Sequence, residues 1–361
     1  MIAPVKSLKG RDFIDVADLD RAQLRGVLDL AHAIKAGRWS ERPLEGRHLA
    51  MLFQKPSHRT RVSFEVGIAR LGGATTTLTE NDVQLGVRET ISDAARVLDC
   101  YVDGVVARLR SHEDLLQLSG ASERPVINGL TDRSHPCQVL ADLMTLEEVR
   151  GKLTEQHLVY IGDGNNVANS IIEAAALTNL DLTVITPHGY EPAEAVIERA
   201  RSIDSGIPKI TVTNDITALD GATAIYTDVW ASMGQESERE VRRRAFMEYQ
   251  VNQGVMDAAP GAVFMHCLPA HRGEEVTDEV IDGQRSVVFQ QAGNRLYAQM
   301  ALMAELFARL ASSSVRPRRS SWMWPATSAR SRSSTSRSSP SCSTSCCGSC
   351  AARRARRSSS G

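Results

Sequence analysis

Three cations and three hydroxyl groups lie within nine residues of one predicted strand-to-helix corner. The segment Phe53-Gln-Lys-Pro-Ser-His-Arg-Thr-Arg-Val-Ser-Phe-Glu65 follows a short apolar run and precedes an apolar helical pattern that reaches Leu71. The first N–H groups of a helix have no partner inside the helix, and the helix dipole adds positive charge there. The corner therefore predicts an anion site made of Ser57, Arg59, Thr60 and Arg61. The alternative is a solvated basic corner in which Ser57 only caps the helix.

A histidine and a glutamine open another predicted helix, in the segment His135-Pro-Cys-Gln138. A helix N-terminus favours the neutral form of a histidine, and a neutral imidazole donates a hydrogen bond to a carbonyl oxygen. His135 and Gln138 are therefore candidates for binding a carbonyl group. The alternative is a histidine that caps the helix and contacts no ligand.

Two asparagines follow a glycine pair after a predicted strand. The segment Gly162-Asp-Gly-Asn-Asn-Val167 imitates a dinucleotide-binding fingerprint, but Val167 occupies the place of the third glycine. The next strand ends in Val184-Ile-Thr-Pro, without the acidic residue that would bind a ribose. The pattern therefore argues against a dinucleotide site and favours Asn165 and Asn166 as amides that bind a carboxylate.

An aspartate begins the segment that leaves a further strand, Asp228-Val-Trp-Ala-Ser-Met-Gly-Gln-Glu236. Open α/β sheets bind ligands at the carboxyl ends of their strands. Asp228 offers a negative charge to an amine, while Ser232 and the backbone of Met233 offer small polar contacts. An ordinary turn is the alternative.

Cys267 follows the last predicted strand, in His266-Cys-Leu-Pro-Ala-His-Arg-Gly-Glu-Glu275. Its thiol is expected at the same carboxyl edge of the sheet. A nucleophile, a metal ligand and a plain polar contact are all open roles for it. The spacing of the two histidines, with one cysteine nearby, does not match a zinc site.

The elements that must position these residues alternate between apolar strands and helices, which is typical of parallel sheets covered by helices. The predicted helices cover residues 18–36, from about 57 onward, 89–99, 112–119, 136–150, 166–178, 192–204 and 292–310. The predicted strands cover residues 48–53, 75–78, 104–107, 126–128, 157–161, 181–186, 210–213, 224–227 and 262–266. We expect two α/β domains, residues 1–150 and 151–291, joined by linker helices, with a helix over 292–311 that packs back on the first.

Composition sets residues 312–361 apart from the rest of the chain. This tail contains 19 serines, ten arginines and four of the seven cysteines but no aspartate, glutamate or lysine, and we expect it to be disordered. The rest carries 32 basic and 43 acidic residues, which argues against a nucleic-acid surface but not against a local anion pocket. The chain has no apolar run of membrane-spanning length and no signal-peptide pattern, so a cytoplasmic location is expected.

Six motifs occur along the chain in one order: Lys-Pro-Ser-x-Arg-Thr-Arg, Asp-x-Gln-Leu-Gly, His-Pro-Cys-Gln, Gly-Asp-Gly-Asn-Asn, Asp-x-Trp-x-Ser-Met-Gly-Gln-Glu and His-Cys-Leu-Pro. Together they resemble the ornithine carbamoyltransferases of the aspartate/ornithine carbamoyltransferase family, over about residues 10–310. The resemblance implies transfer of a carbamoyl group from carbamoyl phosphate to the δ-amino group of L-ornithine, giving L-citrulline and phosphate. It also implies that neither a metal nor an organic cofactor takes part.

The resemblance assigns carbamoyl phosphate to the first domain. Ser57, Arg59 and Thr60 would hold the phosphate, Arg108 and His135 would polarise the carbamoyl oxygen, and Gln138 would fix the carbamoyl nitrogen. The full implied contact set is Ser57, His58, Arg59, Thr60, Gln84, Arg108, His135, Pro136, Cys137, Gln138, Cys267, Leu268 and Arg295.

Ornithine is assigned to the second domain by the same resemblance. Asn166 would bind its carboxylate, Asp228 and Ser232 its α-amino group, and Met233 would help to close the loop. Cys267 would orient the attacking amine without forming a covalent bond. The implied catalytic residues are Arg59, Arg108, His135, Asp228 and Cys267. The family is also built on a catalytic trimer, in which Gln84 would reach the site of the adjacent subunit.

One position departs from the family pattern, because His58 stands where a threonine hydroxyl usually faces the phosphate. Either the imidazole supplies an N–H group in place of the hydroxyl or it crowds the loop. Three other functions are left open: a carbamoyltransferase for another amine acceptor, a binding-only paralogue, and nucleic-acid binding through the Arg/Ser-rich tail.

Overall fold

The computed structural model describes residues 7–203, 210–231 and 236–308, and only the backbone of Glu236. Within these ranges the chain forms two parallel sheets flanked by helices, which confirms the predicted fold class. The tail over residues 312–361, with Ser232 and Met233, lies outside the described residues. None of the helices in the described ranges combines the length and the apolarity that a membrane crossing requires.

The first domain contains a four-stranded parallel sheet with helices on both faces. Its elements are α1 (Arg21–Lys35), β1 (His48–Phe53), α2 (His58–Arg70), β2 (Ala74–Thr79), α3 (Glu80–Val83), α4 (Ile91–Asp99), β3 (Gly104–Arg108), α5 (His112–Ala121), β4 (Val126–Leu130) and α6 (Pro136–Arg150). The strand order is β2-β1-β3-β4.

The second domain contains a five-stranded parallel sheet. Its elements are β5 (His157–Ile161), α7 (Asn166–Thr178), β6 (Asp181–Ile185), α8 (Glu194–Ile203), β7 (Ile210–Thr213), β8 (Ala224–Thr227), α9 (Arg239–Phe246), α10 (Gln253–Ala258), β9 (Val263–His266), α11 (Asp278–Ile281) and α12 (Val288–Leu306). The strand order is β7-β6-β5-β8-β9.

Strand β1 is apolar and buried at every position from Leu49 to Phe53. Leu49, Met51 and Phe53 pack in one hydrophobic cluster, while Ala50 and Leu52 pack in a second cluster on the opposite face of the sheet. Successive side chains of a strand point to opposite faces, and both faces of a parallel sheet are covered by helices. A continuous apolar run is therefore what this position in the sheet requires.

The last helix, α12, packs against α1, α2 and α6. Gly67 of α2 permits a close approach, because a Cβ atom at this position would lie 3.2 Å from Cγ of Met300 on α12. This packing carries Arg295, in the middle of α12, to the corner between β1 and α2.

The short helices α3, α9, α10 and α11 were not predicted from the sequence. They contain between four and eight residues. An apolar repeat needs a window of about 11 residues or more to be recognised, so segments of this length carry too few periods to reveal a helix.

Candidate active site

The sheet register brings the polar segments of each domain to one edge. In the second domain Ile161 pairs with Thr227 and Thr227 pairs with His266, so the three strands end level with one another. Asp228 and Cys267 are therefore neighbours at the carboxyl edge, as the sequence predicted. In the first domain Phe53 pairs with Arg108, which places Arg108 beside the corner that leads into α2.

That corner forms the predicted helix N-terminus. Ser57 is the N-cap of α2, and its hydroxyl oxygen accepts a hydrogen bond from the N–H of Thr60 at 3.3 Å. The capping role proposed as an alternative for Ser57 is thus present. It does not exclude an anion site, because Arg59 is half-buried beside it and the buried hydroxyl of Thr60 is shared by further donors.

Two buried arginines converge on the Thr60 hydroxyl. Arg295 Nη2 donates to Thr60 Oγ1 at 2.8 Å, and Arg108 Nη1 approaches the same atom at 3.5 Å. Arg108 and Arg295 are 6% and 3% exposed, and the Nε atom of each has no hydrogen-bond partner among the described residues. We call Arg59, Arg108 and Arg295, with Thr60 and His135, the cationic cluster.

No carboxylate in the described ranges forms an ion pair with any of the three arginines of the cationic cluster. The pKa of Arg108 is lowered to about 10, chiefly by burial, and the neighbouring charges of Arg295 and Arg59 contribute in the same direction. Burial likewise lowers the pKa of Arg295. Buried charges are normally paired, and an unpaired one is costly. The cluster is therefore a candidate binding site for an anion from outside the chain.

His135 is held neutral at the edge of the cluster. Burial lowers its pKa well below the ordinary histidine value, and the nearby charges of Arg295, Arg108 and Arg59 act in the same direction. It occupies the N-cap position of α6, but its side chain makes no capping hydrogen bond, and its Nδ1 atom is buried without a partner among the described residues. The side chain of His135 therefore does not cap α6, and its contact with a ligand stays a prediction.

The residues that follow His135 are buried at the start of α6. Pro136 is the first residue of the helix, and Cys137 donates its S–H to the carbonyl oxygen of Asn128 at 3.4 Å. Burial raises the pKa of Cys137 to about 12, so its thiol is protonated. Gln138 is fully buried, and its Oε1 accepts a hydrogen bond from Arg295 Nη1 at 3.1 Å.

Asp228 and Cys267 form the acidic side of the region between the carboxyl edges of the two sheets, which we call the cleft. Cys267 Sγ donates to Asp228 Oδ1 at 3.1 Å, and Asn165 Nδ2 donates to Asp228 Oδ2 at 2.9 Å. Burial raises the pKa of Cys267 well above the ordinary thiol value, and the charge of Asp228 raises it further. The thiol is therefore protonated and is a poor nucleophile, since the thiolate is the reactive form.

Asn165 forms its hydrogen bonds within the second domain, whereas Asn166 contacts the first domain. Asn165 caps α7 through its Oδ1 and supports Asp228 through its amide nitrogen. Asn166 donates its amide N–H to the carbonyl oxygen of Thr131 at 2.6 Å, a contact that links the second domain to the first. Gly164 lets two backbone segments approach closely, because a Cβ atom at this position would lie 2.3 Å from the backbone nitrogen of Pro192.

The loop after β9 is braced by a buried pair. His266 Nδ1 accepts the N–H of Leu268 at 2.8 Å, and His266 Nε2 lies 3.2 Å from Glu275 Oε1. Leu268, which is partly exposed, has a left-handed backbone with φ of 56°. Asp228, His266 and Cys267 lie close enough together to surround a metal ion. Both ring nitrogens of His266 are already engaged, however.

His58 and Gln84 lie on the surface. His58 is the first residue of α2 and is exposed, so its ring is not packed among the buried arginines. Gln84 follows α3 and is exposed as well. Neither residue joins the cationic cluster within one copy of the chain.

Both domains of the chain match the same protein family. Residues 11–148 match the aspartate/ornithine carbamoyltransferase carbamoyl-P binding domain, and residues 154–306 match the Asp/Orn binding domain of the same family. The chain belongs to the aspartate/ornithine carbamoyltransferase family. The first match contains most of the cationic cluster, and the second contains Asp228 and Cys267.

Individual family members are similar over nearly their whole length. The chain is 51% identical over 309 residues to the ornithine carbamoyltransferase of Oceanobacillus iheyensis, covering 84% of this chain and 96% of the relative. It is 51% identical over 308 residues to that of Thermococcus kodakarensis, covering 83% and 97%. The solved ornithine carbamoyltransferase of Pyrococcus furiosus superposes with a TM-score of 0.80 at 48% identity, covering 85% of this chain and all of that one.

Sequence reasoning missed three buried residues beneath the candidate site: Asp142, Tyr226 and Gln291. Asp142 follows Gln138 by four residues on α6, and Gln291 precedes Arg295 by four residues on α12. Residues four apart share one face of a helix. The four-residue spacing of Asp142 from Gln138, and of Gln291 from Arg295, is the sequence signal that indicates a shared helix face with the site residues.

Proposed function

We propose that the cationic cluster binds carbamoyl phosphate and that the adjacent Asp228 side of the cleft binds ornithine. The reaction is the transfer of the carbamoyl group to the δ-amino group of L-ornithine, which gives L-citrulline and phosphate. One observation carries the site assignment: the three arginines of the cationic cluster have no carboxylate partner in the described ranges. The amine side is supported by Asp228, which is 5% exposed and accepts the thiol hydrogen of Cys267 at 3.1 Å.

The phosphate half of the mechanism follows from the placement of positive charge. We assign Ser57, Arg59 and Thr60 to the phosphate, at the N-terminus of α2 where backbone N–H groups and the helix dipole also favour an anion. Arg108 and neutral His135 act on the carbamoyl oxygen, where negative charge develops during attack. Donors fixed in advance at that position lower the barrier without reorganisation during the reaction.

The ornithine half follows from the acidic side of the cleft. Asp228 is the counter-charge for the α-ammonium group, and protonated Cys267 orients the δ-amine beside it. Asn166 is assigned to the carboxylate and lies against Thr131 of the first domain. We also assign Ser232 and Met233 to this half, on the resemblance alone.

The attacking amine must be neutral, although the pKa of such an amine is near that of lysine, about 10.4. A closed cleft removes water from the ammonium group and eases the loss of its proton. Turnover should therefore rise with pH until bound ornithine is deprotonated.

A side-by-side acceptor assay tests the reaction. The full chain is supplied with carbamoyl phosphate and with ornithine, putrescine or aspartate, and the ureido product of each is measured. We expect citrulline to form at least a hundredfold faster than the other products. Comparable rates with putrescine would contradict a contact to the ornithine carboxylate, and binding of carbamoyl phosphate without any product would favour the binding-only alternative.

We further propose a trimer in which Gln84 completes the site of the adjacent subunit. The exposed loop that contains Gln84 also presents Val87, which is 81% exposed. An exposed apolar side chain beside a polar one suits a contact with a second copy. Mixing inactive Gln84→Ala and Arg59→Ala chains tests this, because shared sites with neither change would regain activity. No recovery in mixed assemblies of confirmed trimeric mass would contradict it.

A further inference from the structure

Asp142 is a buried carboxylate that lies beneath the cationic cluster and has no assigned part in the reaction. It is 4% exposed. Its Oδ1 accepts hydrogen bonds from Gln138 Nε2 at 2.8 Å and from Gln291 Nε2 at 2.7 Å. Its Oδ2 accepts a third from the hydroxyl of Tyr226 at 3.1 Å. All three partners are donors, which suits an ionised carboxylate because that form only accepts.

Each donor belongs to a different part of the site. Gln138 accepts from Arg295, which in turn donates to Thr60. Gln291 Oε1 accepts a hydrogen bond from the backbone N–H of His266 at 3.0 Å, and His266 immediately precedes Cys267 in the chain. Tyr226 lies on β8, two residues before Asp228. The carboxylate of Asp142 is therefore the common acceptor beneath both halves of the cleft.

The amide of Gln138 is held at both ends by this arrangement. Its nitrogen donates to Asp142 and its oxygen accepts from Arg295. Without an anion at position 142, the hydrogen bond from the amide nitrogen is weaker, so a turned orientation of the amide becomes accessible. A turned amide would present N–H groups to the Arg295 guanidinium, which has only donors.

We propose that Asp142 is a positioning residue for carbamoyl transfer: its carboxylate fixes the Gln138 amide, and through it Arg295, in the orientation that receives carbamoyl phosphate. This inference rests on the proposed function of the cationic cluster. It gives Asp142 no contact with either substrate.

The charge state of Asp142 is set by its surroundings. Burial raises its pKa to about 6, and the hydrogen bonds from Gln138, Gln291 and Tyr226 and the charge of Arg295 act against that rise. The protonated thiol of Cys267 also faces it from the end of β9. The carboxylate is thus ionised above about pH 6, and its protonation below that value should reduce turnover in addition to the protonation of ornithine.

The decisive experiment is a double-mutant cycle between Asp142→Asn and Gln138→Ala, measured as kcat and KM for both substrates. Asparagine keeps an oxygen that accepts from both glutamines, and Tyr226 is able to accept from its new amide, so the fold is expected to persist. We expect Asp142→Asn to lower kcat at least tenfold in the wild-type background and less than threefold in the Gln138→Ala background. Coupling of this kind shows that two residues act as one unit.

Equal loss in both backgrounds, or a kcat within threefold of wild type for Asp142→Asn, would overturn the positioning role. Should Asp142→Asn not fold, Tyr226→Phe gives an independent test, because it keeps the carboxylate and removes one donor that stabilises its ionised form. The acid limb of the kcat profile should then move to higher pH, and an unmoved limb would overturn the proposal. The wild-type chain separates the two claims: no citrulline from it would refute the proposed function, whereas an active wild type with an additive cycle would refute only the role of Asp142.

Discussion

Replacing Asp228 by asparagine should weaken ornithine binding and leave carbamoyl phosphate binding nearly unchanged. Asp228 is 5% exposed and accepts hydrogen bonds from Asn165 and Cys267. Asparagine keeps the size of the side chain but removes the negative charge that faces the ammonium group. Its carbonyl oxygen can still accept from Asn165, and its amide N–H can donate to the Cys267 sulfur, so the packing is kept while the counter-charge is lost.

The expected magnitude follows from the loss of one charge-assisted hydrogen bond in a buried site. Such a bond contributes about 1.5–3 kcal/mol. Since about 1.4 kcal/mol corresponds to a tenfold change in affinity, KM for ornithine should rise roughly 10- to 150-fold. Asp228 forms no ion pair or hydrogen bond with the three arginines of the cationic cluster, so the affinity for carbamoyl phosphate should change less than threefold.

Initial rates of citrulline formation give KM for ornithine, and calorimetry gives the affinity for carbamoyl phosphate. Asp215→Asn is a matched control, because Asp215 is an exposed acid of the same domain. An equal loss for both substrates, or an unchanged KM for ornithine, would refute the division of the cleft into an anion half and an amine half.

Four further outcomes are expected. Arg59→Ala should lose most activity, whereas Arg61→Ala, which removes an exposed i,i+4 ion pair 2.9 Å long, should lose less than threefold; near-wild-type turnover of Arg59→Ala would contradict the assignment. His58→Thr should tighten carbamoyl phosphate binding by up to about tenfold, as measured by calorimetry. Unchanged affinity would show that the imidazole of His58 already supplies the hydrogen bond of the missing threonine hydroxyl. Burial raises the pKa of Glu173 to about 7, whereas the unfolded chain has a glutamate pKa of about 4.3. The contribution of Glu173 to the free energy of unfolding is therefore fully present below about pH 4.3 and is lost as the pH rises through 7. Glu173→Gln, which cannot ionise, should raise Tm more at pH 8 than at pH 5, and an equal shift at both pH values would count against this. A chain ending at Ala311 should keep its Tm, assembly and turnover, since the Ser/Arg-rich composition beyond it cannot form a core; loss of assembly or activity would overturn this.

The sequence was sufficient to predict the residues at the sheet edges. Asp228 and Cys267 each follow an apolar strand, and parallel strands end at a common edge, so their proximity follows from local pattern and topology. The helix N-terminus at Ser57 was readable in the same way, because a capping residue precedes an apolar helical repeat. The fold class and most element positions were predicted from the alternation of strand and helix patterns along the chain.

The contacts between distant helices could not be predicted in the same way. Arg295 reaches Thr60 because α12 packs across α2, and these residues are 235 positions apart in the chain. Asp142 contacts Tyr226 and Gln291 across separations of 84 and 149 positions. Periodicity shows which face of a helix is buried but not which partner it meets. The neutral state of His135 was expected from its position at a helix N-terminus, but burial and three arginines from separate elements, which lower its pKa, are not visible in the local sequence.

Calorimetric titration of the full chain with carbamoyl phosphate tests the central claim most directly, because that claim is that the carboxylate-free cationic cluster exists to bind this anion. We predict saturable binding at one site per chain, weakened at least tenfold in Arg59→Ala and retained within threefold in Arg61→Ala. Undetectable binding by the wild-type chain, or equal binding by both variants, would contradict the account.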